Sequence, residues 1–248
     1  MRSSTGYWPR RSPAREETSN RRTALVTGQE WRSAGHRVAA SVTTMISIES
    51  VILEVADLAA AERFYTDAFG LGTQVLVRAS EAPTEGFRGF TLSLTVSQPG
   101  TVTNLIGAAV EAGAKPLKPV AKSFWGYGGV VQAPDGAIWK VATSAKKETR
   151  PATREIDQIV LLLGTGDIAA SKRFYVEHGL PVAKSFGRKY VEFATESSPV
   201  KLALYGRRAL AKDAGVPSDG TGSHRLSVAS DAGPFTDPDG FAWEPAPR

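Results

Sequence analysis

Cysteine is absent from all 248 residues, which excludes disulfides, zinc-thiolate sites, iron-sulfur clusters and cysteine nucleophiles. Histidine is scarce, at three residues: His36 lies in the N-terminal leader and His178 at the end of a helical segment, which leaves His224 as the one imidazole available to a site. No apolar run approaches the roughly 18 residues of a membrane span. A phosphate-binding loop and a Gly-x-Ser-x-Gly elbow are both missing, and Gly126-Tyr127-Gly128-Gly129 has no helix after it, so it is not a dinucleotide fingerprint. These absences fit a cytoplasmic protein.

Excess charge is also missing from most of the chain. The formal net charge is +5, but residues 1–44 contain eight Arg and three Glu and account for all of it, leaving 22 basic and 22 acidic side chains beyond. Backbone binding to nucleic acid needs clustered Lys and Arg to release counterions, so no nucleic-acid partner is expected. The leader is rich in Arg, Ser and Thr and has no helical or alternating apolar period, which predicts disorder. Its best apolar patch, Ala39-Ala40-Ser41-Val42, is too short for a secretory core, although an Arg-rich, acid-poor leader also resembles a transit peptide. Met45, directly before the first strand, reads as the start of the folded part.

What is present beyond the leader is a repeat. Asp57 to Leu71 reads DLAAAERFYTDAFGL and Asp167 to Leu180 reads DIAASKRFYVEHGL. Each copy follows an apolar run, Val51 to Val55 or Ile159 to Leu163, and leads to alternating segments such as Tyr190 to Phe193. Asp57 and Asp167 are N-cap residues and Gly70 and Gly179 end the helices, whose Phe-Tyr pairs form the buried stripe. A second signature closes each copy, Pro134-Asp135-Gly136 and Pro238-Asp239-Gly240, where Pro and Gly set a tight turn into a final strand. Trp139 and Trp243 on those strands are predicted to be core.

The pattern predicts a first unit over 45–146, a charged linker over 147–153 and a second unit over 154–248. The first contains another helix from Val102 to Ala112, ending at Gly113. The second spends those residues on Arg207 to Ala214 and reaches its closing turn soon after Ser230, so it is trimmed.

These residues resemble the vicinal oxygen chelate superfamily of glyoxalase I, extradiol dioxygenases and bleomycin-resistance proteins, over Ile46 to about Ala246. The resemblance implies an α+β fold of tandem βαβββ modules with curled mixed sheets that form cups for small molecules. It also implies a divalent metal held by His, Gln or Glu on the opening strands and Glu just past the closing turn. In the first unit those positions fall on Ser50, Thr91 and Lys140, and an ammonium group has no lone pair for a dication. In the second unit they fall on Gln158 (or Val160), His224 (one residue from the strict match, Ser223) and Glu244. That set suits Zn, Ni, Mn or Fe.

Three functions remain open at this point. One is a bleomycin-resistance-like binder of a small, partly aromatic molecule without a complete metal site. Its first cup would offer Lys140 and Arg88 to an anionic head and Trp125 and Tyr127 as a flat wall, with Ser50 and Thr91 lining it. The second is a metal-dependent lyase, isomerase or dioxygenase with one site at Gln158, His224 and Glu244. The third is a non-catalytic structural or interaction protein. The expected partner is a small molecule, bound by a monomer or homodimer.

Overall fold

The computed structural model of the chain describes residues 46–124, 126–195 and 198–246. The reading of 1–44 as a disordered leader and the placement of Trp125 lie outside the described residues.

Local hydrogen bonds set the helices. The chain opens with β1 (Ile48–Val55) and α1 (Leu58–Phe69), where Asp57 is extended and accepts from the Ala60 N–H at 2.9 Å, and Gly70 closes the helix at φ 62°. Next come β2 (Val75–Ala79), β3 (Thr84–Gly86), β4 (Phe90–Thr95) and α2 (Pro99–Glu111), which has proline in its first turn. The first unit ends with β5 (Lys115–Ser123), β6 (Gly126–Gln132) and β7 (Ile138–Thr143).

The second unit begins with β8 (Gln158–Thr165) and α3 (Ile168–Glu177), capped by Asp167, which accepts from the Ala169 and Ala170 N–H groups at 2.9 and 3.3 Å. It continues through β9 (Val182–Ser185), β10 (Tyr190–Phe193), β11 (Val200–Gly206) and α4 (Arg207–Ala214). Last come β12 (Gly220–Gly222), β13 (Leu226–Ser230), β14 (Phe235–Thr236) and β15 (Ala242–Pro245). Both closing turns form as expected: Ala133 N–H donates to Ala137 O at 2.8 Å and Asp237 N–H to Phe241 O at 3.0 Å.

Two curled mixed sheets are built from strands of both units. The larger runs β5-β6-β7-β4-β8-β11-β10-β9, and the smaller β14-β15-β13-β1-β2. In the larger, β4 and β8 meet antiparallel at the centre, each with a parallel partner outside it, β7 and β11 respectively. In the smaller, β1 and β13 meet antiparallel with parallel partners β2 and β15. The trimming expected of the second unit is visible in the smaller sheet, where β13 passes to β14 without a helix.

One continuous apolar cluster lies between the sheets and α1, α2 and α3. Trp139 is fully buried, with ring centroids 5.5 Å from Tyr65 and 5.0 Å from Phe69; Trp243 takes the same role beside Tyr175 at 5.5 Å. Each such side chain removes some 150–250 Å² from water, at roughly 25 cal/mol per Å². Among the described residues no helix is long and apolar enough to cross a membrane.

Candidate functional site

Side chains alternate across a strand, so the residues that do not enter the core face the concave side of a sheet. On β4 the core takes Phe90, Leu92 and Leu94, which leaves Thr91, Ser93 and Thr95 for the concave face. On β8 it takes Ile159, Leu161 and Leu163, which leaves Gln158, Val160 and Leu162. The register sets Lys140 beside Ser93, Ser93 opposite Val160, and Val160 beside Lys201. The floor of the larger cup therefore carries the row Lys140, Ser93, Val160, Lys201. Ser93 is 2% exposed, and its hydroxyl has no hydrogen-bond partner.

Helix α4 lies on this concave face. Leu210, Ala211 and Ala214 pack with Phe87, Val130 and Ile138, and Leu162 and Tyr205 flank them. The close approach requires Gly164, where a Cβ would stand 2.7 Å from Gly89 O and 3.2 Å from Arg207 Cα. Lys140 Nζ donates to Asp213 Oδ2 at 2.6 Å, and Lys118 Nζ donates to the helix-terminal carbonyls of Lys212 and Asp213 at 2.8 and 2.6 Å. Burial lowers the Lys118 pKa; Asp213 opposes the shift, and Lys140 and Lys212 add to it.

The smaller sheet has a different centre. Arg78 reaches across its concave side, with Nη1 donating to Glu244 Oε1 and Oε2 at 3.0 and 3.1 Å. Its Nη2 donates to Glu54 Oε1 at 3.0 Å and Ser227 Oγ at 2.9 Å. Partial burial works to lower the Arg78 pKa, but hydrogen bonds to Glu54 and Glu244 outweigh it and the pKa is raised.

No family model and no curated protein matches the sequence. The structure is similar to glyoxalase I from Zea mays, at 16% identity and a TM-score of 0.53, over 80% of this chain and 91% of that one. A point mutant of the same enzyme matches at 16% identity and a TM-score of 0.52, over 80% and 92%. The chain shares the fold of glyoxalase I. A likeness at that identity carries the architecture, and the site must be judged on its own residues.

Vicinal oxygen chelate cups that hold a metal need several lone-pair donors converging on one point. The residues present here do not fit that need. Gln158 lies on β8 in the larger sheet and Glu244 on β15 in the smaller, where Glu244 is engaged by Arg78. His224 precedes β13 and turns both ring nitrogens to backbone carbonyls, Nδ1 to Arg88 O at 2.5 Å and Nε2 to Asp239 O at 3.0 Å, with its ring stacked on Phe241 at 4.0 Å. Among the described residues no three His, Asp or Glu side chains gather as ligands would. The proposed triad is thus spread over two sheets and a loop, because strand pairing between the units separates the two ends of the repeat.

The expected ligand wall is also redistributed. Lys140 and Thr91 do share the concave face of the larger sheet, but Lys140 pairs with Asp213, and Thr91 is buried there. Tyr127 has the parity of core-facing Val131 and turns to the helix side, its hydroxyl 3.4 Å from Thr103 Oγ1 on α2. Ser50 belongs to the smaller sheet, where it is buried and its hydroxyl has no hydrogen-bond partner among the described residues. Arg88 donates to Asp135 O in the closing turn; burial lowers its pKa, Asp135 opposes, and Arg225 adds to the shift. Ser93, Lys201, Arg78 and Asp213 lie outside the expected wall. Strand alternation signals the first two, since Lys201 interrupts the apolar run from Val200 to Leu204. Nothing local marks Asp213.

Proposed function

We propose that the chain binds a small organic molecule on the concave face of the larger sheet through side-chain contacts, without a chelated metal. The observation that supports this reading is the row Lys140, Ser93, Val160, Lys201. Where a dication would need lone pairs, the floor offers the ammonium group of Lys201 and the methyl groups of Val160, with the buried Ser93 hydroxyl and the Asp213-paired Lys140 beside them. Two aromatic side chains, Tyr190 and Tyr205, stand edge to face at 6.0 Å on the same face, which suits a partly aromatic ligand. Small-molecule sites combine apolar walls with a few placed polar groups in this way.

The test is a thermal-shift screen of the full chain with benzoate, phenylacetate, phenol and benzamide, beside Val160→Trp, which fills the floor. A ligand that binds only the folded state raises the melting temperature by mass action. The expected result is a shift in wild type that Val160→Trp abolishes. No shift with any of the four, or equal shifts in both proteins, overturns the reading.

A further inference from the structure

The larger sheet is palindromic. Exchanging β4 with β8 exchanges Ser93 with Val160, and therefore Lys140 with Lys201, because each lysine is the parallel-strand neighbour of one of them. The same exchange carries Leu162 onto Thr95 and Thr91 onto Gln158. The two halves of one cup can thus be compared position by position within a single molecule.

On one half the occupant is visible. Helix α4 covers Leu162, and its Asp213 carboxylate sits on Lys140 at 2.6 Å. That half shows which group a lysine at this position takes when a chain supplies one. The other half has the matching lysine without a matching carboxylate. Among the described residues the Lys201 side chain makes no hydrogen bond or ion pair, though the residue is half-buried. Around it the apolar Leu162 is replaced by Thr95, and Gln158 spends its amide on a long 3.4 Å contact to the carbonyl of its own neighbour, Ile159. Beneath them lies the buried Ser93 hydroxyl, which also has no partner. Glu192 on β10, which faces the same side, is paired with Lys184 at 3.7 Å and accepts from the Tyr190 hydroxyl at 3.2 Å.

We propose that Lys201, Gln158 and Thr95, over the hydroxyl of Ser93, form a binding site for the carboxylate of a small organic acid, repeating at Lys201 what Asp213 does at Lys140. One cation and three neutral donors match a planar monoanion, and charge-assisted bonds of this kind are the strong ones. The proposal rests on the binding reading above and supplies its ligand class. It also gives Gln158 a role as an amide donor in place of the metal ligand expected of it.

The experiment is calorimetric titration of the full chain with benzoate and with benzamide, which has the same shape and no charge. Wild type is compared with Lys201→Ala and with Lys115→Ala, a control cation exposed on the opposite edge strand β5. The expected result is benzoate binding in preference to benzamide, weakened about tenfold or more in Lys201→Ala and unchanged in Lys115→Ala. Because the Lys201 side chain has no hydrogen-bond or ion-pair partner to lose among the described residues, its alanine variant should melt at the wild-type temperature, which separates a lost site from a lost fold. Equal benzoate affinity in wild type and Lys201→Ala, equal affinity for benzamide and benzoate, or no benzoate binding each overturns the carboxylate site. In the last two cases, benzamide or phenol binding that Val160→Trp abolishes would leave the broader binding reading standing.

Discussion

Tyr65 and Tyr175 hold the same place in the two helical repeats and donate to carboxylates at different places in the two closing turns. Tyr65 Oη donates to Asp135 Oδ2 at 2.5 Å, whereas Tyr175 Oη donates to Asp237 Oδ2 at 2.6 Å. The residue equivalent to Asp135 is Asp239, and it is already engaged, accepting from Ser171 Oγ and the Gly166 N–H at 2.7 Å each. The first repeat has Ala61 where the second has Ser171, so nothing there competes for Asp135. Burial, and then the adjacent carboxylate, raise the pKa of both phenols well above the usual range, which keeps them as donors. Asp237 is 5% exposed and Asp135 is half-buried. Removing the hydroxyl should therefore cost about 2 kcal/mol in Tyr175→Phe, where a buried carboxylate oxygen loses its donor, and about 1 kcal/mol in Tyr65→Phe, where water can replace it. Urea melts of the two variants decide this, and equal losses would show that the burial of the acceptor does not matter.

At the scale of the element, α4 differs from the other helices in where it goes rather than in how it is made. It follows β11 with no loop, since Gly206 both ends the strand and caps the helix, so it starts at the rim of the cup and turns over the concave face. Its buried stripe, Leu210, Ala211 and Ala214, is too short to hold it by apolar area alone, and the lysines beneath add contacts to its C-terminal end. The Lys140 and Asp213 side chains are 18% and 28% exposed, so their pairing is shielded more than a surface ion pair. A double-mutant cycle of Lys140→Ala and Asp213→Ala should give a coupling of about 1 kcal/mol or more. Additive losses would mean that the pair does not hold α4 to the sheet.

At the scale of the whole molecule, each sheet closes only when both units contribute. β4 loses its β8 partner if the chain is divided at the linker, and β1 loses β13. Each half would then present two long strand edges and part of an apolar face that the other half covers. Residues 45–146 and 154–248 produced separately should give no cooperative monomeric melt, and mixing them should restore one. Thermal melts followed by circular dichroism, with the mass of each species measured beside them, check this. A cooperative melt of either half as a monomer would contradict it.

The sequence alone determined what depends on neighbours along the chain. The Asp57 and Asp167 caps, the turns at Gly136 and Gly240 and the burial of Trp139 and Trp243 follow from hydrogen bonds and side-chain alternation within a few residues. Repeated in order, those features give the strand-helix-strand pattern of each unit and carry the family resemblance that implied the curled sheets. The face of Tyr127 was also open to that reasoning, because it shares the parity of Val131. Which side chains meet in a cup was decided only by tertiary structure. The pairing of β4 with β8 and of β1 with β13 places Gln158 and Glu244 on different sheets, sets Lys201 on the same floor as Lys140, and lets Arg78 reach Glu244, 166 residues away. Such partners are chosen by the shared burial of two apolar faces, a property of the assembled sheets that no single segment carries.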